Sequence, residues 1–405
     1  MLFKISWRNI WRNPTRSFVV IGAIIVGVWS VIFLASMAAG MMDSYVDNAI
    51  DNEISHIQIH HPEFTKEKES KYYLEDIDQL IEKAASTEGV TAVSARSLTN
   101  AMIASGKSTR GIRVAGIMPE LEQKVTGISG KLIEGEYLNG KGRNPILVSK
   151  VIAEKLKLKM RSKVVLTMQT LEGEITAGAF RVAGIFESGN NMYDETIVFV
   201  RYKDLNRILG AENIGHELAI RVEGLPVLDT TQVMLSQAMP NQLVQTYKEI
   251  SPELELFQSQ IGNAAKIYMF IFMLALIFGI INTMLMTVLE RVRELGMLMS
   301  VGMNKGKVFL MIMLETLMLA VIAAPIGLVI GYLTTSYFSK TGINLSVFSS
   351  EGMKQFGMST FIYPSVDPSI YVDLAVAVAI TAIVASVYPA IKAIRLRPVE
   401  AIRKI

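Results

Sequence analysis

The chain contains no cysteine among its 405 residues. That absence excludes disulfide bonds, thiolate nucleophiles and cysteine-based metal sites, but it does not identify the compartment. Histidine is also scarce, with four residues, and the formal net charge of +3 is small. A nucleic-acid-binding protein would instead concentrate basic residues on one face. The composition therefore argues against thiol chemistry and nucleic-acid binding.

Apolar residues are abundant: 51% of the chain is hydrophobic and the mean hydropathy is +0.36. A helix needs about 20 mainly apolar residues to cross roughly 30 Å of hydrocarbon. Four runs meet this requirement, and the first is longer than the apolar part of a cleaved signal peptide. We therefore predict transmembrane helices at residues 17–42, 267–289, 308–338 and 370–391.

Lysine and arginine are unevenly distributed around these predicted spans. They concentrate in residues 1–16, 290–307 and 392–405, whereas the loop of residues 339–369 contains only Lys340 and Lys354. Because cytoplasmic loops carry the excess of basic residues, we expect both termini and the 290–307 connector in the cytoplasm. Residues 43–266 are then expected outside the cytoplasm. The protein itself is expected in the inner (cytoplasmic) membrane.

The long segment of residues 43–266 alternates between strand-like and helix-like patterns. Strands are predicted at residues 56–60, 90–104, 145–148, 164–169, 180–186, 196–200 and 216–222, with short helices between several of them. Its two ends, residues 43–52 and 251–265, continue the neighbouring spans as helices. The predicted fold class is thus an α-helical membrane protein with four spans and a mixed α+β domain, carried on helical stalks, between helices 1 and 2.

Two patterns in this domain resemble chemical sites only superficially. Residues 101–108 nearly match a phosphate-binding loop, but Ala101 replaces the required glycine and residues 110–117 read as a strand, so residues 105–108 are predicted to be a turn between two strands. His56 and His60 share one strand face about 13 Å apart, too far for one metal ion. We expect them at a solvated strand end, and no catalytic residue, cofactor site or metal site is predicted in this chain.

The first sixteen residues combine aromatic and basic side chains. Basic residues recur every four positions at Arg8, Arg12 and Arg16, while Trp7 and Trp11 fall on another helix face. This pattern is typical of a helix lying flat in the membrane interface. We interpret residues 1–16 as an amphipathic interfacial helix anchored by these five residues.

The third predicted span contains two unusual features. Glu315 lies about two turns inside it, where a carboxylate is costly and usually contacts protein or a polar cavity. It is either a buried structural or coupling contact or a side chain reaching back to the interface. Gly327 and Gly331 form a small-xxx-small pair that permits close helix packing.

The connector of residues 290–307 begins with charges at helical spacing and reaches a helix-ending glycine at Gly302. From the residues alone it is either a solvated hairpin or a helix that docks a soluble partner.

Four features together resemble the FtsX-like permease family of ABC transporters, which includes the MacB and LolC/LolE types. They are the opening at residues 7–16, the connector at 290–298 with Gly302, the following Glu315, and the exit at residues 388–403. The extracytoplasmic segment resembles the MacB-type periplasmic core. The resemblance implies that the ATPase-coupling residues are Glu290, Arg291, Arg293, Glu294, Leu295, Gly296, Leu298 and Gly302.

The resemblance also implies a mechanism. Two permeases pair as a homodimer or heterodimer, and two copies of a separate ABC ATPase subunit bind ATP and Mg²⁺ below them and drive mechanotransmission to the outer domain. The chain is therefore expected to be a non-enzymatic permease subunit. Its layout is most similar to the LolC/LolE type, which implies extraction of lipoproteins from the inner membrane toward a periplasmic carrier. MacB-like efflux of peptides, toxins or drugs is the alternative, and a membrane-anchored ligand sensor is the hypothesis from another class.

Overall fold

The computed structural model describes residues 2–67, 69–106, 108–140, 142–345, 361–365 and 368–395. The chain divides into two compact units. The helical unit comprises Met1–Met42, Gln258–Ile343 and Ile362–Ile405, and the sheet unit comprises Asp43–Phe257 and Asn344–Phe361.

Helices within the described residues range from single turns to spans of 39 residues. In chain order they are α1 Leu2–Arg12, α2 Pro14–Ala49, α3 Phe64–Glu67, α4 Ile77–Ala85, α5 Pro119–Val125, α6 Lys150–Leu156, α7 Asn191–Asp194, α8 Tyr202–Leu209, α9 Leu228–Ala238, α10 Tyr247–Ile250, α11 Pro252–Glu290, α12 Val292–Ser300, α13 Lys305–Thr341 and α14 Pro368–Ile394. A π-helical turn, Ile50–Ile54, extends α2, and 3₁₀ turns occur at Ile128–Lys131 and Leu225–Val227.

Four of these helical segments are long and apolar enough to cross a membrane: Pro14–Ile54, Pro252–Glu290, Lys305–Thr341 and Pro368–Ile394. The prediction of four apolar spans is thus confirmed by length and composition. The helices extend beyond the predicted apolar runs, because the chain stays helical where polar residues begin. Most of the predicted 339–369 loop and the tail after residue 395 lie outside the described residues.

Close packing between α2 and α13 depends on the two glycines of the third span. A Cβ atom added at Gly327 would lie 2.9 Å from Cβ of Val28, and one added at Gly331 would lie 2.6 Å from Cδ1 of Ile32. Both distances are shorter than van der Waals contact, so only glycine lets the helices approach this closely at these positions. The structure therefore places the pair in a contact within the helical unit.

The sheet unit is built on ten strands that pair into one mixed sheet. They are β1 Ile57–His60, β2 Val90–Ala104, β3 Thr109–Ile117, β4 Leu132–Gly135, β5 Pro145–Ser149, β6 Lys163–Gln169, β7 Ile175–Phe186, β8 Ile197–Arg201, β9 Glu217–Val222 and β10 Leu243–Thr246. The order is β10-β1-β9-β2-β3-β8-β5-β7-β4, and β6 pairs with both β2 and β7. The β3–β8 and β5–β7 pairs are parallel. A separate two-stranded sheet joins β11 Ile343–Asn344 to β12 Phe361–Ile362.

The strands predicted on either side of the turn at residues 105–108 are confirmed. β2 and β3 pair antiparallel with Ala104 opposite Thr109, so a strand rather than a helix follows the turn. The loop therefore lacks the helix N-terminus that a phosphate site needs.

The expectation that His60 lies at a solvated strand end is wrong. β1 lies between β9 and β10, and His60 is 4% exposed, with its ring 5.5 Å from the stacked ring of Phe64. His216 is fully buried; its Nδ1 accepts a hydrogen bond from the backbone N–H of Leu98 (3.0 Å), and its Nε2 donates to the carbonyl of Ser70 (2.9 Å). Both histidines thus serve the packing of the sheet.

Candidate coupling site

The connector between the second and third spans folds as the short helix α12. The chain leaves α11 at Glu290, and Arg291 has a non-helical conformation (φ −96°, ψ 13°) before α12 begins. After Ser300 the chain turns at Gly302, whose φ of +101° is in the region that favours glycine. Asn304 then caps α13 by accepting a hydrogen bond from the backbone N–H of Gly306 (3.1 Å). The connector is therefore a helix with defined ends.

The two faces of α12 differ in exposure. Leu295 and Gly296 are buried, and Leu298 packs against the apolar core of the helical unit. Four residues on the other face are exposed, with spacings of four, three and one: Arg293, Met297, Ser300 and Val301. That spacing places them along one side of a helix. The structure thus separates the predicted coupling residues into an inward set and an outward set, and Met297 is exposed on the same side as Arg293.

Two ion pairs join the connector to the N-terminal segment. Arg12 pairs with Glu294, and Arg16 pairs with Glu290. Arg12 and Arg16 are four residues apart in the sequence, and so are Glu290 and Glu294. The first arginine pairs with the second glutamate and the second arginine with the first. The hydrogen bond from Arg12 is the main cause that lowers the pKa of the Glu294 carboxyl. We call these four residues the charge clasp.

A more deeply buried ion pair lies beside the clasp. Glu315 is 4% exposed, and its two oxygens accept hydrogen bonds from Nη1 of Arg291 at 3.1 and 3.2 Å. The side-chain amide of Asn9 donates to the same carboxylate at 2.6 Å. Arg291 also donates through Nε to Glu294 at 3.2 Å. Of the two alternatives for Glu315, the structure therefore shows the buried contact.

The N-terminal helix α1 is amphipathic, as its sequence predicts. Its inner face carries Ser6, which donates to the carbonyl of Met311 (3.2 Å), and the buried Ile10. Trp7 and Trp11 lie on the outer face, 44% and 42% exposed, with ring centroids 6.0 Å apart. Arg8 is also exposed. Arg12 and Arg16, by contrast, bind the connector rather than standing free as interfacial anchors.

Charge joins the connector to the helices around it. Three guanidinium groups (Arg12, Arg16, Arg291) face three carboxylates (Glu290, Glu294, Glu315), which come from α1, the start of α2, the end of α11, the residue before α12, α12 and α13. Because each buried charge has a partner, the cost of desolvation is offset. A displacement of α12 would therefore be transmitted to α1 and α13.

Comparisons with known proteins match both parts of the chain. Residues 266–398 match the FtsX-like permease C-terminal model, and residues 17–237 match the MacB-like periplasmic core domain model.

Two curated relatives are similar in sequence. The chain is 29% identical over 126 residues to the macrolide export ATP-binding/permease protein MacB of Bdellovibrio bacteriovorus, covering 31% of this chain but only 16% of that protein. It is 21% identical over 349 residues to the lipoprotein-releasing system transmembrane protein LolC of Xylella fastidiosa, covering 79% of each.

Among solved structures, the extracellular domain of the ABC-type transporter YknZ from Gram-positive bacteria aligns with a TM-score of 0.35 and 16% identity, covering 47% of this chain and 99% of that one. The periplasmic region of MacB from Actinobacillus actinomycetemcomitans aligns with a TM-score of 0.37 and 10% identity, covering 52% and 97%. The two family models together extend over both the apolar helices and most of the sheet unit, and the core-domain model alone matches more than half of the chain. The chain belongs to the family of FtsX-like permeases with a MacB-like periplasmic core domain, that is, to ABC transporter permeases of the MacB/FtsX/LolC type.

Proposed function

We propose that this permease receives force from a separate ABC ATPase at α12 and uses it to extract lipoproteins from the inner membrane. The observation that carries the proposal is the arrangement of the connector. Its helix α12 has an outward face with no partner among the described residues, while Glu290, Arg291 and Glu294 tie the connector to α2, α13 and α1 by charge. The chain itself has a hairpin turn where its sequence most resembles a nucleotide loop.

The outward face of α12 suits a protein partner. Arg293, Met297, Ser300 and Val301 form a stripe with one cation and two apolar side chains, and Val301 is 89% exposed. Methionine and arginine are enriched at the cores of protein interfaces. We therefore assign docking to these four residues, whereas Glu290, Arg291, Glu294, Leu295 and Gly296 act inside the chain by holding α12 in place.

The charge clasp and the Arg291–Glu315 pair supply the route of force. A partner that pushes on α12 also moves α1 through Arg12 and α13 through Glu315. α2 and α11 each contribute residues to both units, so the chain is continuous from the helices into the sheet unit. In this mechanism the sheet unit lies outside the membrane and both termini lie in the cytoplasm.

The lipoprotein substrate is supported by the similarity to a lipoprotein-releasing protein, which extends over 79% of both chains. The working assembly in this proposal contains two ATPase subunits and two permeases, and the cargo passes to a periplasmic carrier. Efflux of peptides, toxins or drugs is the second candidate, favoured by the local 29% identity to a macrolide export protein.

Docking is tested by co-purifying the permease with an ABC ATPase subunit from the same cells. Met297→Asp combined with Arg293→Glu should abolish recovery of the ATPase, because it places carboxylates across the docking stripe. Leu225→Asp is the matched control, since Leu225 is 50% exposed and Met297 is 49% exposed. Recovery of the ATPase with the double variant at wild-type yield would overturn the docking assignment.

The substrate is tested by depleting the permease in cells. We expect lipoproteins to accumulate in the inner membrane, with unchanged sensitivity to macrolides and peptide toxins. Normal lipoprotein localisation together with increased drug sensitivity would favour efflux instead.

A further inference from the structure

A cavity of about 550 Å³ opens on one face of the large sheet, entirely within the sheet unit. Its volume is in the range of about 300–1,000 Å³ typical of small-molecule sites. The floor is formed by residues from neighbouring strands that point to the same face, including Arg96 and Leu98 of β2, Phe199 of β8 and Glu217 of β9. We call it the acidic cavity, because carboxylates outnumber cations around it.

Arg96 lies at the floor of the cavity but is already neutralised. Its guanidinium donates to Glu122 at 2.7 Å and to Oε1 of Glu217 at 2.5 Å, and it also donates to the carbonyl of Glu53 at 3.1 Å. Its side chain is only 7% exposed. An arginine with two carboxylate partners has no net positive charge to offer an incoming anion.

Glu217 holds an unused acceptor. The residue is 5% exposed and lines the cavity, and only its Oε1 is bonded to Arg96. Its Oε2 has no hydrogen-bond partner in the part of the chain that the structure describes. This oxygen is not one of the fully buried unpaired atoms of the described residues, so it is open to the cavity and can accept a hydrogen bond from a donor there.

Glu53 adds a second carboxylate at the edge of the cavity. It accepts a hydrogen bond from the side-chain amide of Asn190 at 2.6 Å, which is a neutral partner. Within the described residues no lysine or arginine side chain pairs with the Glu53 carboxylate.

Negative charge is therefore in excess. The carboxylates are Glu53, Glu217, Glu249 and Glu253 on the lining and Glu122 behind Arg96, and the basic groups on the lining are Arg96, Arg113 and His60. Burial raises the pKa of Glu53 to about 7, so this group is only partly ionised at neutral pH. With Glu53 left out and His60 counted as a cation, carboxylates still outnumber cations by four to three. Concave sites with one sign of charge and low-dielectric walls concentrate ligands of the opposite sign.

Aromatic rings complete the lining. Phe64, Tyr193 and Phe199 line the cavity, and aromatic faces attract cations. Among the described residues there is no cluster of three or more potential metal ligands, which favours an organic cation over a metal ion.

We propose that the acidic cavity binds a ligand through an alkylammonium group. The ammonium, which has three N–H donors, bonds Oε2 of Glu217 and the carboxylate of Glu53, and its alkyl chain packs on the rings. The shared chemistry could come from a free polyamine or from a lysine side chain of a peptide. This site does not depend on ATPase docking or on the lipoprotein substrate.

The test is calorimetric titration of the full-length permease in detergent with spermidine and, separately, with an acetylated trilysine amide. We expect saturable binding of at least one probe. Glu217→Gln keeps the acceptor for Arg96 but removes the charge, and it should weaken binding at least tenfold. Glu53→Gln should also weaken binding. If Glu217→Gln lowers the thermal midpoint and is therefore destabilised, the affinity of Glu53→Gln for the probes tests the site instead. Glu172→Gln, an exposed glutamate in the β6–β7 turn, is the matched control.

The outcomes separate the sources and the alternatives. Binding of spermidine alone identifies a free amine, binding of trilysine alone identifies a peptide side chain, and binding of both identifies any alkylammonium. The proposal is overturned if neither probe binds, if both cavity variants bind like the wild type, or if Glu172→Gln weakens binding as much as they do.

Discussion

The Arg291–Glu315 pair gives the sharpest prediction about how α12 is held. Glu315→Gln removes one charge of a pair in which Glu315 is 4% exposed and the Arg291 side chain is 12% exposed. Glutamine keeps the shape and the acceptor for Asn9, so the variant tests charge rather than packing.

The magnitude follows from the geometry. Unit charges 3.1 Å apart attract by roughly 5 kcal/mol at an effective dielectric constant of about 20. Removing one partner leaves Arg291 buried and uncompensated, and such changes typically cost about 3–5 kcal/mol. Replacing both partners is far less costly, because no unpaired charge remains. We therefore expect Arg291→Gln with Glu315→Gln to be more stable than Glu315→Gln alone.

The assay is a double-mutant cycle on the unfolding free energy of the purified permease in detergent micelles. The same variants are assayed for their ability to stimulate the ATPase subunit. Both single variants should lose stimulation, because α12 is no longer fixed to α13. Strict additivity of the two single changes in unfolding free energy would refute the reasoning, since independent residues cannot form the proposed pair.

Three further predictions concern packing, pH and cargo. Gly327→Ala should destabilise the permease by about 1–3 kcal/mol through overpacking. A Cβ atom added at Gly279 has no atom within 4 Å, so Gly279→Ala should not lower the thermal midpoint. Equal thermal midpoints for the two variants would contradict the close approach of α2 and α13 at Gly327. Burial lowers the pKa of His216 to about 4, so between pH 6.5 and 4 the unfolded state binds more protons than the folded state. The free energy of unfolding should therefore fall by about 3 kcal/mol as the pH is lowered from 6.5 to 4. His216→Gln should flatten this slope in denaturation curves while His61→Gln retains it, and identical slopes would disprove the assignment. Inner-membrane fractions from depleted cells should gain lipoproteins within the depletion period, and an unchanged lipoprotein content would exclude the proposed cargo.

Much of the fold follows from local patterns in the sequence. The four apolar runs, the long strand β2 and the turn before β3 are evident because uninterrupted hydrophobicity and alternation are local properties. β4 and β10 are four residues each, and three residues of β4 are exposed, so neither has a pattern strong enough to predict. The burial of His60 depends on contacts with distant parts of the chain, such as the hydrogen bond between its Nδ1 and the carbonyl of His216, which only the tertiary fold determines.

The sequence predicts where in the chain the candidate site lies, but not which side chains meet there. Helical spacing correctly locates α12, yet the break at Arg291 turns Leu295 and Gly296 inward and Met297 outward. The matched four-residue spacing of Arg12 and Arg16 with Glu294 and Glu290 was visible in the sequence. Its meaning was not, because segments nearly 300 residues apart must fold together before the charges can pair.

The central claim is that an ATPase subunit docks on the outward face of α12. Because the chain contains no cysteine, Met297→Cys introduces a unique thiol there. A thiol-to-amine crosslinker of short reach should join this variant to the ATPase subunit in membranes, whereas Leu225→Cys should give no such product. Absence of a crosslink from Met297→Cys, in preparations where the two subunits still co-purify, would contradict docking at this face.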